Sequence, residues 1–441
     1  MTLLSKLRDR PALHPLSWLG RDISVAFLGH LASRSLGILT FIVMTRTLDP
    51  AHYGIFLLAY SILEIAQYVS DLGFDVGMTR FVARSEREGR EEETNAVLRA
   101  VFLTKLLITA VLVAVMWVGA PFVAGKILSR TEMTPYIRIA AIGVFGQQFT
   151  GFWQSYFGAR LQFLRNAAFS TIAPALILAI IVALRVSGTL DTAACLQAYV
   201  WVPLVVCVGT TLALGRRFLR AQKPVQPPVL PALRRVWRFS RWIYLSNTLS
   251  VVRFRLNGIL LARLATLPEV GLYGYGDKLA SMLTLFTNAI TTVFIPRASR
   301  LMSHDELRAL LRTSYRWILM LLPLFVLVPF AIRPAIAFLS PEYVQAAPIC
   351  VVLWISILFT LASLPSNTVL YSINQPHVET FVEAVALALT AVLGVTLVRS
   401  HGGLGAAFAM LIQRFVSTSL IVGWVYFTVF RRGATGKDPV H

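Results

Sequence analysis

Five ionisable residues lie deep within apolar stretches of the chain: Arg34, Arg253, Arg255 and Arg414, with Glu64 the one carboxylate. An ionised side chain at bilayer depth costs about 2.5–3.5 kcal/mol on insertion scales, so it is kept where a cavity or a partner receives it. Four cations against one anion suit an anionic ligand. A guanidinium fork grips two oxygens at once and keeps its charge when desolvated, which matches a diphosphate. The four arginines are therefore the candidate substrate-binding set. A competing reading pairs Arg34 with Glu64 and leaves the others snorkelling or bonded to backbone carbonyls. Asp71, Asp75, Glu379 and Glu383 fall nearer one end of their segments. Asp277 and Lys278 fall nearer the other, where they can neutralise each other.

Helical spacing assigns polar faces. Ser246, Ser250, Arg253 and Asn257 share one face of a seventh helix, because steps of three and four residues return to the same side. Glu64, Tyr68, Asp71 and Asp75 repeat that spacing on a second helix, and Asp277, Ser281, Thr284 and Asn288 on an eighth. These stripes predict a cavity lined by helices one, two, seven and eight. Glu64, Asp71, Ser250, Asn257, Ser281, Thr284 and Asn288 are its expected lining or coupling residues. Packing through interhelical hydrogen bonds is the alternative. Arg255 lies about 200° around its helix from Arg253, so the two cannot face one point squarely. No catalytic residue is expected. The seven histidines form no HExxH, and Walker A and Gly-x-Ser-x-Gly sequences are missing from the chain. Neither metal nor cofactor is expected, and the three single cysteines read as small core residues.

The elements that must position these side chains are membrane helices. Charged residues make up only 14 % of the 441, against 56 % hydrophobic. A soluble chain of this length could not hide that much apolar surface. The predicted fold is an all-α polytopic membrane protein with about twelve spans. They run near 22–45, 53–79, 101–122, 134–157, 167–186, 192–214, 237–262, 271–296, 314–338, 345–371, 378–398 and 403–430. With the N-terminus inside, 28 of the 41 Lys and Arg fall on the cytoplasmic side against 8 outside, so both termini are predicted cytoplasmic. The net charge of +20 then reflects topology and anionic lipid, not nucleic acid. Four prolines between Pro224 and Pro231 cannot continue a helix. They divide the chain into an N-terminal lobe (1–216), a linker (217–236) and a C-terminal lobe (237–441), six helices to a lobe.

The lobes repeat one another. Arg46-Thr-Leu-Asp-Pro-Ala-His-Tyr-Gly54 matches Arg263-Leu-Ala-Thr-Leu-Pro-Glu-Val-Gly271, and Ile127-Leu128-Ser129 resembles Phe338-Leu339-Ser340. An offset of 217 relates the first pair and carries Arg80 onto Arg297. Both copies start in the same direction, which predicts a pseudo-twofold axis along the membrane normal and halves that rock.

The segment Arg46-Thr-Leu-Asp-Pro50-Ala-His-Tyr53-Gly54-Ile-Phe56 resembles the Arg-x-Leu-Gly-Pro-x-x-Tyr-Gly-x-Phe pattern of Wzx-type polysaccharide repeat-unit flippases. These belong to the multidrug/oligosaccharidyl-lipid/polysaccharide (MOP) exporter superfamily. Asp49 replaces the usual glycine. Asp71-Leu-Gly-Phe-Asp-Val-Gly-Met-Thr-Arg80, Gly271-Leu-Tyr-Gly-Tyr-Gly and Ile295-Pro296-Arg297 resemble further parts of the family pattern. The resemblance implies export of an undecaprenyl-diphosphate-linked oligosaccharide across the bacterial inner membrane during surface polysaccharide synthesis. It also implies a polysaccharide polymerase and chain-length machinery as partners. A multidrug/cation antiporter of the same superfamily and a lipid II flippase are the alternatives. A membrane polymerase or ligase fits less well, because no outer loop is longer than about 15 residues.

Overall fold

The computed structural model describes residues 14–215, 229–282, 304–372 and 376–428. All regular elements among them are helical. The first half holds α1 (His14–Thr45), α2 (Pro50–Asp71), α3 (Phe74–Arg87), α4 (Glu91–Phe122), α5 (Thr134–Ala159), α6 (Phe163–Val186) and α7 (Thr192–Leu214). The second holds α8 (Val229–Leu264), α9 (Leu267–Ser281), α10 (His304–Leu339), α11 (Ala347–Ser372) and α12 (Pro376–Tyr426). Thr284, Asn288, Arg297 and most of the predicted linker lie outside the described residues.

Seven helical stretches are long and apolar enough to cross a membrane among the described residues. An eighth is a pair, Leu311–Met320 and Phe325–Leu339, bent by 43°; Pro323 at the bend removes a helix hydrogen bond. Helices α3, α5, α8 and α9 fall short of that measure, and the last three carry polar side chains that line cavities.

Two boundaries differ from expectation. The predicted span 53–79 is two helices, because Leu72 (φ 49°) and Gly73 (φ 75°) both turn left-handed. The Asp71 carboxylate accepts the Gly73 N–H at 3.1 Å and fixes that turn. Residues 229–236, expected in the linker, open α8, whose first turn tolerates Pro231. The expected spans 378–398 and 403–430 are two helices that meet at a kink at Gly402 (φ 53°, ψ −131°), and the label α12 covers both. Asp49, where the family pattern has glycine, caps α2 by accepting the His52 N–H at 2.8 Å. An extended backbone there (φ −67°, ψ 168°) needs no glycine.

The halves meet where α2 crosses α9. A Cβ on Gly54 would run into the Leu267 carbonyl, and a Cβ on Gly271 into the Pro50 carbonyl. These contacts are images of one another, since the offset of 217 carries Pro50 to Leu267 and Gly54 to Gly271. At the same end, Arg46 donates to the Leu339 and Phe338 carbonyls (2.8 and 3.2 Å). Arg130 donates to those of Ala265 and Ala262 (2.9 and 3.2 Å). Each arginine thereby caps the C-terminus of a helix in the other half, where carbonyls lack partners. Thr45 Oγ1 and Ser340 Oγ lie 2.9 Å apart, and the Tyr343 hydroxyl donates to the Leu48 carbonyl at 2.8 Å. Phe41, Tyr53, Tyr275 and Tyr343 form an aromatic cluster beside them, Tyr275 stacked on Tyr343 and the other contacts tilted or edge to face. This end of the molecule is shut.

Candidate functional site

Below the shut end, a cavity of about 470 Å³ opens between the halves. Helices α1 and α2 wall one side, α8, α9 and α12 the other. Its charged lining is Arg34, Arg255, Lys278 and Arg414 against Glu64 and Asp277, a surplus of two positive charges.

Glu64 on α2 forms an ion pair with Arg255 on α8, tying the halves together across the cavity. Arg414 stands near the face of Phe254, 5.7 Å from the ring centre. The side chains of Arg34 and Lys278 make no hydrogen bond or ion pair among the described residues. Asp277 makes no direct ion pair with Lys278, as neighbouring residues on a helix point apart, although both it and Glu64 lie near enough to attract the ammonium. Ser281 lines the cavity too, its hydroxyl donating to the Lys278 carbonyl at 2.7 Å. The remaining wall is aromatic, with Tyr53, Phe56, Tyr60, Tyr199 and Tyr273.

Arg253 does not face this cavity. It is 5 % exposed and turns into the second half, donating to Glu383 (2.8 and 3.2 Å), Gln413 (3.1 Å) and Ser250 (3.4 Å). Asn257, on the same face, is buried and donates to the Tyr273 hydroxyl at 3.1 Å. The polar stripe of Ser250, Arg253 and Asn257 thus packs against α12 and α9. The opposite face, with Val251, Phe254, Arg255 and Gly258, lines the cavity. The spacing identified the two faces of this helix; which one meets water depends on a neighbouring carboxylate, Glu383, 130 residues away.

Asp71 is also displaced from the expected lining. With Asp75 it holds Lys105 of α4, at 2.8 and 2.5 Å from the ammonium nitrogen. Lys105 is fully buried, although its position beside a cytoplasmic loop reads as an ordinary topogenic charge. The two aspartates four residues apart were the legible half of that cluster.

A second cavity of about 270 Å³ lies within the first half, among α1, α5, α6 and α7. Its polar lining is Ser33, Thr40, Gln147, Thr150, Gln154 and Ser170. Tyr60, Tyr199 and Lys278 line both cavities. Among the described residues no group of three His, Cys, Asp or Glu is arranged to hold a metal.

The family model described as polysaccharide biosynthesis protein matches residues 19–302, well over half the chain. The chain belongs to the polysaccharide biosynthesis protein family. No curated protein matches it by sequence. The fold of this polysaccharide biosynthesis protein is that of MOP superfamily transporters. It is similar to an inward-facing multidrug resistance MATE transporter at a TM-score of 0.74 and 15 % identity, covering 91 % of this chain and 96 % of that one. The lipid II flippase MurJ in an inward closed conformation also gives 0.74, at 11 % identity over 92 % and 89 %. An outward-facing MATE transporter gives 0.52 at 14 % identity over 94 % and 97 %.

Proposed function

We propose that this polysaccharide biosynthesis protein carries an undecaprenyl-diphosphate-linked oligosaccharide from the inner to the outer leaflet of the bacterial inner membrane by alternating access. Twelve spans in two six-helix lobes, with both termini cytoplasmic, form the frame of that reading. The shut end is then the outer face. The diphosphate enters the cavity between the halves, where Arg34, Arg255, Lys278 and Arg414 receive it, while the polyprenyl tail stays in lipid. The observation that carries this is the two-charge positive surplus in a cavity walled by both halves, with the side chains of Arg34 and Lys278 making no hydrogen bond or ion pair among the described residues. An anion held there competes with Glu64 for Arg255, which loosens the pair between the halves when substrate arrives. A multidrug/cation antiporter needs an uncompensated carboxylate, and this cavity has the reverse balance. Polymerase and chain-length machinery would act on the delivered glycan.

The test is surface-glycan display in cells lacking the chromosomal copy, with expression followed by immunoblot. Arg34→Ala and Arg255→Ala are expected to abolish or sharply reduce export. Lys at either position is expected to restore part of it, keeping the charge but losing the fork. Full export by well-expressed Ala variants would sink the diphosphate site. Rescue of a lipid II flippase deficiency in place of glycan export would move the assignment to that substrate.

A further inference from the structure

We infer that the second cavity, the one inside the first half, receives the sugar ring attached to the diphosphate, and so selects the proximal sugar of the glycan. This rests on the diphosphate reading of the central cavity.

Three observations carry it. First, the lining is neutral apart from Lys278 at the mouth. Hydroxyls and carboxamides are poor company for a hydrocarbon chain and weak holders of a free anion. A carboxamide donates and accepts, as a sugar hydroxyl does, so the two satisfy each other without any charge. Second, Gln147 and Gln154 are half-buried in this lining, and neither makes a hydrogen bond among the described residues. Neither amide spends its hydrogen-bonding capacity on a described protein group, so both are left open toward the cavity. They stand seven residues apart on one face of α5, about 10 Å along the axis, a span that two extended side chains can close on one ring. Their neighbour Thr150, between them, is already bonded to the Gly146 carbonyl at 2.8 Å, and Ser33 to the Ser170 carbonyl at 3.0 Å. The glutamines are thus the groups with hydrogen-bonding capacity to offer.

Third, the two cavities share their threshold. Tyr60 and Tyr199 stand edge to face with ring centres 5.5 Å apart, and both line each cavity. Lys278, reaching in from α9, does the same. A phosphate at Lys278 would leave its attached sugar on the Gln147–Gln154 side, with the tyrosine rings against the apolar face of the ring. About 270 Å³ holds roughly nine waters at about 30 Å³ each, room for one ring and its substituents but not a branched glycan. The distal sugars remain in the wider cleft. Discrimination should therefore be sharp for the first sugar and slight for later ones.

The experiment uses the full chain in lipid nanodiscs. The probes are farnesyl diphosphate and farnesyl diphosphate bearing a single glucose, galactose, N-acetylglucosamine or N-acetylgalactosamine. At least one glycosylated probe is expected to bind about tenfold more tightly than the bare one, the worth of two neutral hydrogen bonds. Gln147→Leu with Gln154→Leu should lower that probe to the bare level and leave bare binding unchanged. Should the leucine pair fail to fold, Gln147→Asn with Gln154→Asn keeps the amides but withdraws them by one methylene, and is expected to lose most of the preference. Equal binding of all probes by the natural protein, or a preference that survives both double variants, overturns the sugar pocket while the diphosphate reading stands. Bare farnesyl diphosphate that does not bind, or binds unaffected by Arg34→Ala, overturns the diphosphate reading and the sugar pocket with it.

Discussion

Arg34 and Arg253 occupy contrasting environments, and their removal should have contrasting effects. Arg253 is 5 % exposed and shares four hydrogen bonds, two of them with Glu383. Arg253→Met leaves the Glu383 charge stranded beside an apolar side chain. Breaking a buried pair from one side costs about 3–5 kcal/mol. Adding Glu383→Gln removes the stranded charge and should recover much of that loss. Arg34 is exposed in the central cavity. Its replacement by Ala should change stability by no more than about 0.5 kcal/mol. A charge-assisted hydrogen bond to an anion is worth about 1.5–3 kcal/mol, so farnesyl diphosphate should bind roughly 10- to 150-fold more weakly. A thiol-reactive dye can follow unfolding, because Cys195, Cys207 and Cys350 are all buried and free. Thermal release of those thiols in detergent gives stability, and titration of the folded protein gives binding. An Arg253→Met protein that melts like the natural one, or an Arg34→Ala protein that melts early and binds normally, would refute this division of labour.

Lys105→Met should be among the most damaging substitutions in the first half, at about 3–5 kcal/mol, because Asp71 and Asp75 then face each other without a cation. Asp75→Asn should be milder, since Asp71 still holds Lys105; the same thiol-release melt compares them, and equal losses would contradict the arrangement. Thr45→Cys with Ser340→Cys joins the halves where the natural hydroxyls lie 2.9 Å apart. Oxidation should lock that end and stop export, and reduction should restore it; undiminished export by the cross-linked protein would show that the end need not open. Gly271→Val should force the Pro50 carbonyl away and raise maleimide labelling of a cysteine placed at position 45 several-fold, whereas unchanged labelling would mean the crossing tolerates a side chain.

Composition and apolar runs made the helices legible, and the offset of 217 located the two glycines that meet at the crossing. The cavity charge was legible only as a set. Arg34, Glu64, Arg255 and Arg414 line it, but Arg253, with the same residue type at a similar depth, does not. Helical spacing separates faces without saying which neighbour each meets. Lys105 was missed for a related reason: a lysine near a basic loop looks topogenic until α2 and α3 bring two carboxylates to it. The break between those helices was hidden because Leu72 gives no sign of a left-handed backbone, and the Asp71 side chain that supports the turn reads equally well as cavity lining. Lys278 was discounted because it follows Asp277 directly, yet adjacent residues on a helix diverge.

The paired glycines have a mechanical consequence. Helices approach most closely where neither has a side chain, so the point of contact between α2 and α9 is also the natural place for a fulcrum. Gly54 lies near the start of α2, and Asp71 ends it; the arm between them is about 25 Å at 1.5 Å per residue. A tilt of about 10° about the crossing would sweep the far end through about 4 Å while the glycines themselves hardly move. Glu64 sits a little more than halfway along that arm, so its pairing with Arg255 acts as a brake with a long lever. The same short-side-chain bearing is duplicated on α9 at Gly271, whose arm to Ser281 is about 15 Å at 1.5 Å per residue, so a small change at the ion pair is magnified most along α2.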